Sequence, residues 1–443
     1  RFALEIITAV RKQVGPDYPL IYRLSASEMM DGARLNIADA QAACLMLEEA
    51  GINAINVSVG SHASKGFFPV VPAALPHSYN LNYAAEIKRV VSIPVMGNGR
   101  INDPYLAEAA LRSGKVDLIG MGRSSLADPD FPRKAQEGGI DDIVYCVACM
   151  QGCIGNLKRG CRPIQCLVNP MLGYEYEYTW QPVANKKVAV IGGGIAGMAA
   201  AIAAARRGHQ ETLFEKTAKL GGQMLLAAVP PFKQELTTLI VWQKRQLQEL
   251  GVEVHMNTPV DKDTIGPGSF DTIIIATGAI PFILPIQGVD LPLVTTAERI
   301  LSLNVNPGKR IVVVGGGQVG AETAAFLASQ DKEVTILEME DCIPREGEPG
   351  SNYYLKKNLD ENGVTQLVRA KVVRIEEHGV VYENEGDTKT ISGVDTVVMA
   401  VGSKSVNTLE ETLKGVAEKV VVVGDAVQPG KGLDAHAEGF RAG

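Results

Sequence analysis

Apolar positions along the chain follow two different rhythms. Up to about residue 140, short apolar runs at 20–24, 54–59, 93–96 and 116–121 alternate with longer stretches at 2–14, 37–50, 81–91 and 104–112. The runs suit buried strands. The longer stretches repeat their apolar residues every three to four positions, as amphipathic helices do. Repeated strand–helix units predict a parallel sheet. Four such units make half of a (β/α)8 barrel, and half a barrel leaves two strand edges unpaired. The expected fold is the C-terminal half of a TIM barrel, its other half preceding Arg1. The chain starts without Met inside a predicted helix and stops at Phe440-Arg441-Ala442-Gly443 without an obvious terminus, so both ends are expected to be incomplete.

From residue 146 to about 185 the periodicity fades, and the segment reads as a loop and linker holding Tyr174, Tyr176, Tyr178 and Trp180 as packing aromatics. At Lys186 a strand–turn–helix pattern begins: a strand at 188–191, the turn Gly192-Gly193-Gly194-Ile195-Ala196-Gly197, a helix at 198–207, and a strand at 212–214 ending at Glu215. It recurs as a strand at 311–314, the turn Gly315-Gly316-Gly317-Gln318-Val319-Gly320, a helix at 321–328, and a strand at 334–337 ending at Glu338. The two acids keep the same offset from their first glycines, so a nucleotide-binding unit is duplicated within the chain. The uncharged run 188–205 would register on a hydropathy window, but its glycines and its change of rhythm make it a buried strand and helix, not a membrane span.

Each glycine turn carries a dinucleotide fingerprint. Gly192 and Gly315 allow the tight turn, Gly194 and Gly317 let the backbone approach a pyrophosphate, and Gly197 and Gly320 let helix and strand pack closely. Glu215 and Glu338 suit ribose hydroxyls. A carboxylate at 338 repels a 2′-phosphate, which favours NADH over NADPH.

In the barrel half, Pro94-Val95-Met96-Gly97-Asn98-Gly99-Arg100 and Ile119-Gly120-Met121-Gly122-Arg123 follow the last two strands. Loops there are the usual phosphate site of such barrels, and glycine N–H groups with Arg123 suit the phosphate of FMN. Asn98, Gly99, Arg100, Gly122 and Arg123 are the candidate cofactor residues. Arg23 points a cation either at an anionic flavin edge or into an ion pair at the barrel mouth. His62, just past a strand end, either serves the substrate as a proton donor or carbonyl partner, or is a loop histidine bonded to backbone.

Composition narrows the chemistry. At 443 residues the chain is long enough for about three domains. Its net charge of −7 and lack of Lys/Arg clusters argue against nucleic acid as a partner. No signal peptide or membrane anchor is read, and a cytoplasmic location is expected. Seven cysteines, five of them between Cys146 and Cys166, do not resemble a secreted disulfide framework. The spacing C-x2-C-x3-C at Cys146, Cys149 and Cys153, followed by a longer gap, fits an iron–sulfur cluster better than paired zinc knuckles. Cys161 and Cys166 compete for the fourth ligand position; Cys166 is preferred because Cys161 lies close to Cys153 and is restricted by Arg162-Pro163. Cys44 reads as a buried helix residue and Cys342 as an incidental loop residue.

Three further pieces accompany the first fingerprint: Lys219-Leu220-Gly221-Gly222-Gln223, Ile275-Ala276-Thr277-Gly278 and Val423-Gly424-Asp425-Ala426. Together they resemble the two-dinucleotide flavoprotein disulfide-reductase family, in which the NAD domain is inserted into the FAD domain. That resemblance implies FAD contacts at Gly222, Gln223, Thr277, Gly278 and Gly424, with Asp425 on the ribityl chain. With Arg23-Leu24-Ser25, Gly122-Arg123, the cysteine run and Cys166-Leu167-Val168-Asn169-Pro170, the whole chain resembles an iron–sulfur flavoenzyme of the old yellow enzyme superfamily, in the 2,4-dienoyl-CoA reductase and 2-enoate reductase group.

The resemblance implies an α/β protein in five parts. An FMN and substrate barrel domain spans 1–145, and a cluster loop and linker spans 146–185. The FAD domain spans 186–300 and returns at 403–443, with a nested Rossmann-like NAD domain at 301–402. It implies FMN, FAD, a 4Fe–4S cluster on Cys146, Cys149, Cys153 and Cys166, and NADH. Electrons would run from NADH through FAD, cluster and FMN to an activated alkene of an unsaturated acid or acyl-CoA. Arg23 and His62 would be the catalytic residues, and the usual tyrosine acid would lie before Arg1. The alternatives are a steroid or bile-acid desaturase running in reverse and an amine dehydrogenase of the trimethylamine type. The reading leaves room for a homo-oligomer and none for a membrane partner.

Overall fold

The computed structural model describes residues 1–30, 32, 35–64, 66, 69–158, 160, 162–178, 185–344 and 347–443. Cys161 and Trp180 lie outside the described residues. The chain divides into two compact units, Arg1–Met150 with Pro349–Tyr353, and Gln151–Glu348 with Tyr354–Gly443.

The first unit is built on four parallel strands in chain order: β1 (Ile21–Ser25), β2 (Ala54–Ser58), β3 (Val95–Gly97) and β4 (Leu118–Ile119). Helices Phe2–Val14, Ile37–Glu49, Leu81–Lys88 and Pro104–Arg112 alternate with them. Asn36 and Asp39 form a capping box at the start of the second helix, and Asp103 caps the fourth ahead of Pro104. The core joins Ile7, Cys44, Leu47 and Ile87 of the helices to Ile55, Val57 and Val95 of the strands. Each such side chain, fully buried, contributes roughly 1.5–3 kcal/mol. The strand pattern is legible, but β4 is two residues long where six were expected. Leu118 there is exposed, and just past the strand Gly120 N–H still donates across to Gly97 O at 2.7 Å.

The second unit holds two five-stranded parallel sheets. The first runs, in space, Lys419–Val422, Thr272–Ile275, Lys187–Ile191, Gln210–Phe214 and Glu253–His255. The second runs Val294–Thr296, Thr396–Met399, Arg310–Val314, Glu333–Leu337 and Thr365–Leu367. Every strand of the second sheet falls between two strands of the first in sequence, so one sheet is nested inside the other. The fingerprint helices span Ile195–Arg206 and Gln318–Ala328. They start three residues earlier than the apolar pattern indicates, so the third glycine of each turn lies inside its helix. The run 188–205 is strand, turn and helix, and no helix among the described residues is long and apolar enough to cross a membrane. An antiparallel sheet of Ala370–Glu376, Gly379–Asn384 and Asp387–Ser392 lies in the chain between the nested strands Thr365–Leu367 and Thr396–Met399 and was not legible in advance.

Candidate functional site

The two glycine turns make matching contacts. A Cβ on Gly192 would stand 2.3 Å from the Ala276 carbonyl oxygen, and one on Gly315 2.5 Å from that of Ala400. A Cβ on Gly197 or Gly320 would stand 1.9 Å from the carbonyl oxygen of the first glycine of its own turn. At Gly194 and Gly317 the situation reverses, because no atom lies within 4 Å of where the Cβ would be. These two residues cap the fingerprint helices without a side-chain hydrogen bond, so the helix N-termini are open to an anion. The first and third glycines are therefore required by packing, while the second faces open space.

The acids are held in place by the same turns. Glu215 Oε2 accepts from Gly193 N–H at 2.7 Å and its Oε1 from Thr217 N–H at 2.7 Å. Glu338 repeats this with Gly316 N–H at 2.6 Å and Glu340 N–H at 2.9 Å. Each carboxylate is buried and fixed by backbone donors, with lone pairs to spare for ribose hydroxyls. The residue after Glu338 is Met339, exposed and uncharged, so no cation sits beside it in sequence to receive a 2′-phosphate.

Both turns open onto one cavity of about 1560 Å³. Gly222, Gln223, Thr277, Gly278 and Asp425 line it too. Gln223 Nε2 donates to Ala279 O at 3.1 Å, and Thr277 Oγ1 donates to Val406 O. Gly424 N–H donates to Glu438 at 2.8 Å, and Asp425 accepts from Gly430 N–H at 3.0 Å. Burial, and then the nearby charges of Glu438 and Asp434, raise the Asp425 carboxyl above its ordinary range. Glu322, which lines the cavity, pairs with Lys233 at 2.5 Å and also accepts from Gln318. No sequence motif pointed to that pair.

In the first unit the candidate residues gather where β1, β2 and β3 end. Asn56 Oδ1 accepts from Arg23 Nη1 at 3.0 Å and from Asn98 Nδ2 at 2.9 Å. Asn98 also donates to Val57 O at 2.8 Å and accepts from the buried Asn80 at 2.9 Å. Arg23 is thus partnered by an amide rather than a carboxylate. Arg123 donates from Nη2 to Val71 O at 2.6 Å, while its Nη1 is buried with no hydrogen-bond partner among the described residues. A buried guanidinium nitrogen without an acceptor is costly and suits a phosphate oxygen. Gly122 beside it has open space where a Cβ would be, and Gly99 adopts φ +106° with Asn80 packed against it. Arg100 behaves differently. Its buried side chain donates to Ala73 O at 2.8 Å and to Leu75 O, and the Arg100 carbonyl oxygen lies 2.9 Å from His77 Nδ1. It braces the loop at 73–77. His62 is exposed in the turn after β2.

The cysteine segment is described in two pieces. In the first unit Cys146 is half-buried and its carbonyl accepts from Asn102 Nδ2 at 2.8 Å. Cys149 stands between Ala148 at φ 49° and Met150 at φ 59°, two left-handed non-glycine residues in a row of three. Strain of that kind persists where the surroundings impose it, as at ligand-holding turns. In the second unit Gln165 N–H donates to Gly152 O at 3.0 Å, and a Cβ on Gly152 would stand 2.4 Å from Gln165 O. Cys153 and Cys166 follow directly after these two residues. Cys44 is buried, its thiol pushed up to about 11 by burial and by Glu48, and Cys342 is exposed. Among the described residues no three His, Cys, Asp or Glu side chains gather as a metal-ligating group. The fit of a cluster rests on the soft thiol donors and on the folding of these loops.

The family model described as "Pyridine nucleotide-disulphide oxidoreductase" matches residues 186–424. The one described as "NADH:flavin oxidoreductase / NADH oxidase family" matches residues 1–142. A metal reductase of Desulforamulus reducens is 37% identical, the match covering 98% of this chain and 69% of that protein. A cinnamate reductase of Clostridium sporogenes is 34% identical over 96% of this chain and 66% of that protein. The solved structure of 2-naphthoyl-CoA reductase with 2-naphthoyl-CoA superimposes with a TM-score of 0.95 at 31% identity, covering 100% of this chain and 67% of that one. The chain spans about two thirds of the length of these relatives. The chain belongs to the NADH:flavin oxidoreductase family of the old yellow enzyme superfamily, in the group that joins a TIM-barrel domain to a pyridine nucleotide-disulphide oxidoreductase module.

Proposed function

We propose that the protein is an NADH-dependent reductase of activated C=C bonds, acting on 2-enoates or on enoyl- and dienoyl-CoA thioesters. The observation that carries the reading is the shared cavity, where two complete dinucleotide turns face one space. That arrangement suits hydride transfer, which needs near contact between a nicotinamide and a flavin ring. Two relatives are named for unsaturated carboxylate and aromatic acyl-CoA reduction, in line with this substrate class.

The reaction consumes NADH, a proton and the alkene, and yields NAD+ and the saturated product. When bound, FAD, a 4Fe–4S cluster and FMN would carry the two electrons between them. In this reading Gly192, Gly194, Gly197 and Glu215 hold the FAD adenosine diphosphate, with Gly222, Gln223, Thr277, Gly278, Gly424 and Asp425 around the rest of FAD. Gly315, Gly317, Gly320 and Glu338 hold NADH. Arg123 and Gly122 hold the FMN phosphate, Gly99 and Asn98 shape that loop, and Arg100 supports it from behind. Arg23 presents its guanidinium to the flavin edge. His62 serves the substrate as a carbonyl partner or proton donor. Cys146, Cys149, Cys153 and Cys166 are the cluster ligands.

The test is anaerobic spectroscopy of the protein reduced by NADH and then mixed with 2-enoates, enoyl-CoAs and 2,4-dienoyl-CoAs. Rapid flavin reoxidation by one class is expected. Reoxidation by none of them, or flavin bleaching by an amine but not by NADH, would sink the reading. Cys149→Ser should block NADH reduction of FMN while FAD reduction persists.

A further inference from the structure

The bond between His436 and Leu167 crosses 269 residues of sequence and lies wholly inside the second unit. His436 sits in the helix Gly432–Ala442 and is buried. Its Nδ1 lies 2.6 Å from the Leu167 carbonyl oxygen. A carbonyl only accepts, so Nδ1 carries the proton. Burial lowers the imidazole to about 4, so the ring is neutral at physiological pH and Nδ1–H is its one donor.

Leu167 is the residue after Cys166, and it is held twice. Its carbonyl takes the His436 proton. Its side chain is buried beside Gly432, where an added Cβ would meet Leu167 at 3.3 Å, Met224 at 2.8 Å and Ile195 at 3.4 Å. Ile195 opens the first fingerprint helix, and Met224 stands in the short helix after Gly222. The helix Gly432–Ala442 in turn lies hard against the fingerprint helix. A Cβ on Gly439 would stand 2.0 Å from Ala196 O, and one on Gly443 2.0 Å from Ala200 O. The residue that follows Cys166 is therefore tied to the same helices that frame the first dinucleotide turn.

We infer that His436 is a positioning residue, whose Nδ1–H fixes the main chain at Cys166 against the FAD-binding helices and so sets how readily electrons leave the flavin for the cysteine loop. The inference rests on the reading that Cys166 holds a cluster. Nothing in a mere packing role requires a donor at Nδ1, and a leucine would fill the space.

The experiment uses the full chain with its cofactors and three substitutions. His436→Leu removes the donor. His436→Asn places an amide N–H near the Nδ1 position. His436→Gln places one near Nε2, on the wrong side. Three readouts apply: electron departure from NADH-reduced FAD by stopped flow, the paramagnetic resonance signal of the dithionite-reduced protein, and amide exchange across residues 163–172. His436→Leu should slow electron departure by about tenfold or more, the scale of one lost buried hydrogen bond. It should also alter the resonance signal and raise exchange in that segment. His436→Asn should restore all three and His436→Gln should not. If His436→Leu does not fold, the contrast between Asn and Gln decides. Asn and Gln behaving alike, or Leu matching the unsubstituted protein, overturns the inference. Iron and sulfide absent from the anaerobically prepared unsubstituted protein would instead bring down the cluster reading, and this inference with it.

Discussion

Arg23 and Asn56 pair directly across two strands, Nη1 to Oδ1 at 3.0 Å, and the register of β1 on β2 puts them opposite each other. The same oxygen receives Asn98, so one amide orients both the arginine and the loop expected to carry the FMN phosphate. Asn56→Ala removes an acceptor from two donors at once. Asn98 Nδ2 keeps its bond to Val57 O and the exposed Arg23 turns to water, so what is lost is orientation, and FMN retention should weaken by about tenfold, the scale of one net hydrogen bond. FMN release on dilution measures this, and unchanged retention would remove Asn56 from the site.

Gly320 and Gly197 give a paired test. A methyl at Gly320 would overlap the Gly315 carbonyl, and one at Gly197 that of Gly192. Gly320→Ala should abolish NADH bleaching while FAD is retained, and Gly197→Ala should abolish FAD binding. Overpacking of this kind costs typically 1–3 kcal/mol or more. Equal loss of both cofactors in both variants would contradict the division of labour.

Glu338 should set the choice of nicotinamide. The unsubstituted protein is expected to use NADH over NADPH. Glu338→Gln leaves one oxygen for two backbone donors, Gly316 and Glu340. The KM for NADH should rise roughly tenfold, as one charge-assisted hydrogen bond is lost, and the NADPH-to-NADH ratio should rise with it. Steady-state assays with each nucleotide decide it.

Glu211 predicts a dependence of stability on pH. It is buried on the strand Gln210–Phe214, and burial pushes its carboxyl from 4.5 up to about 7. The folded state thus holds a proton that the unfolded state has released. That contribution is full below the unfolded value, falls as pH rises between 4.5 and about 7, and is lost above. Glu211→Gln should raise the melting temperature by a few degrees at about pH 8 and change it little at about pH 4. Equal shifts at both pH values would mean that the carboxyl is not the source.

What the sequence shows well is whatever a local rule dictates. The glycine turns are legible because two of their three glycines answer to collisions within a few residues or with the adjoining strand. The acids at 215 and 338 are legible because one helix and one strand separate each of them from its turn. Asn56 was not legible, because its importance comes from the pairing of β1 and β3 on either side of it. The two uses of arginine after β3 and β4 were not separable either. Arg100 and Arg123 follow similar glycine loops, and only the fold shows that the first is engaged by carbonyls while the second has a buried guanidinium nitrogen with no acceptor among the described residues. The Lys233–Glu322 pair and His436 escaped for the same reason, since each joins segments far apart in the chain.

The nesting of the two sheets bears on how the protein is made. The strand Lys419–Val422 pairs with Thr272–Ile275, and the whole of the inner sheet lies between them in the chain. On the ribosome, the inner sheet emerges complete while the outer one still lacks an edge strand. Closing a flexible loop of that length costs entropy that grows with its logarithm, and a prefolded insert shortens the loop that must be closed. The inner sheet thus has all its strands before the outer sheet can gain its edge strand Lys419–Val422. A chain stopped before residue 419 would present a bare strand edge at Thr272–Ile275.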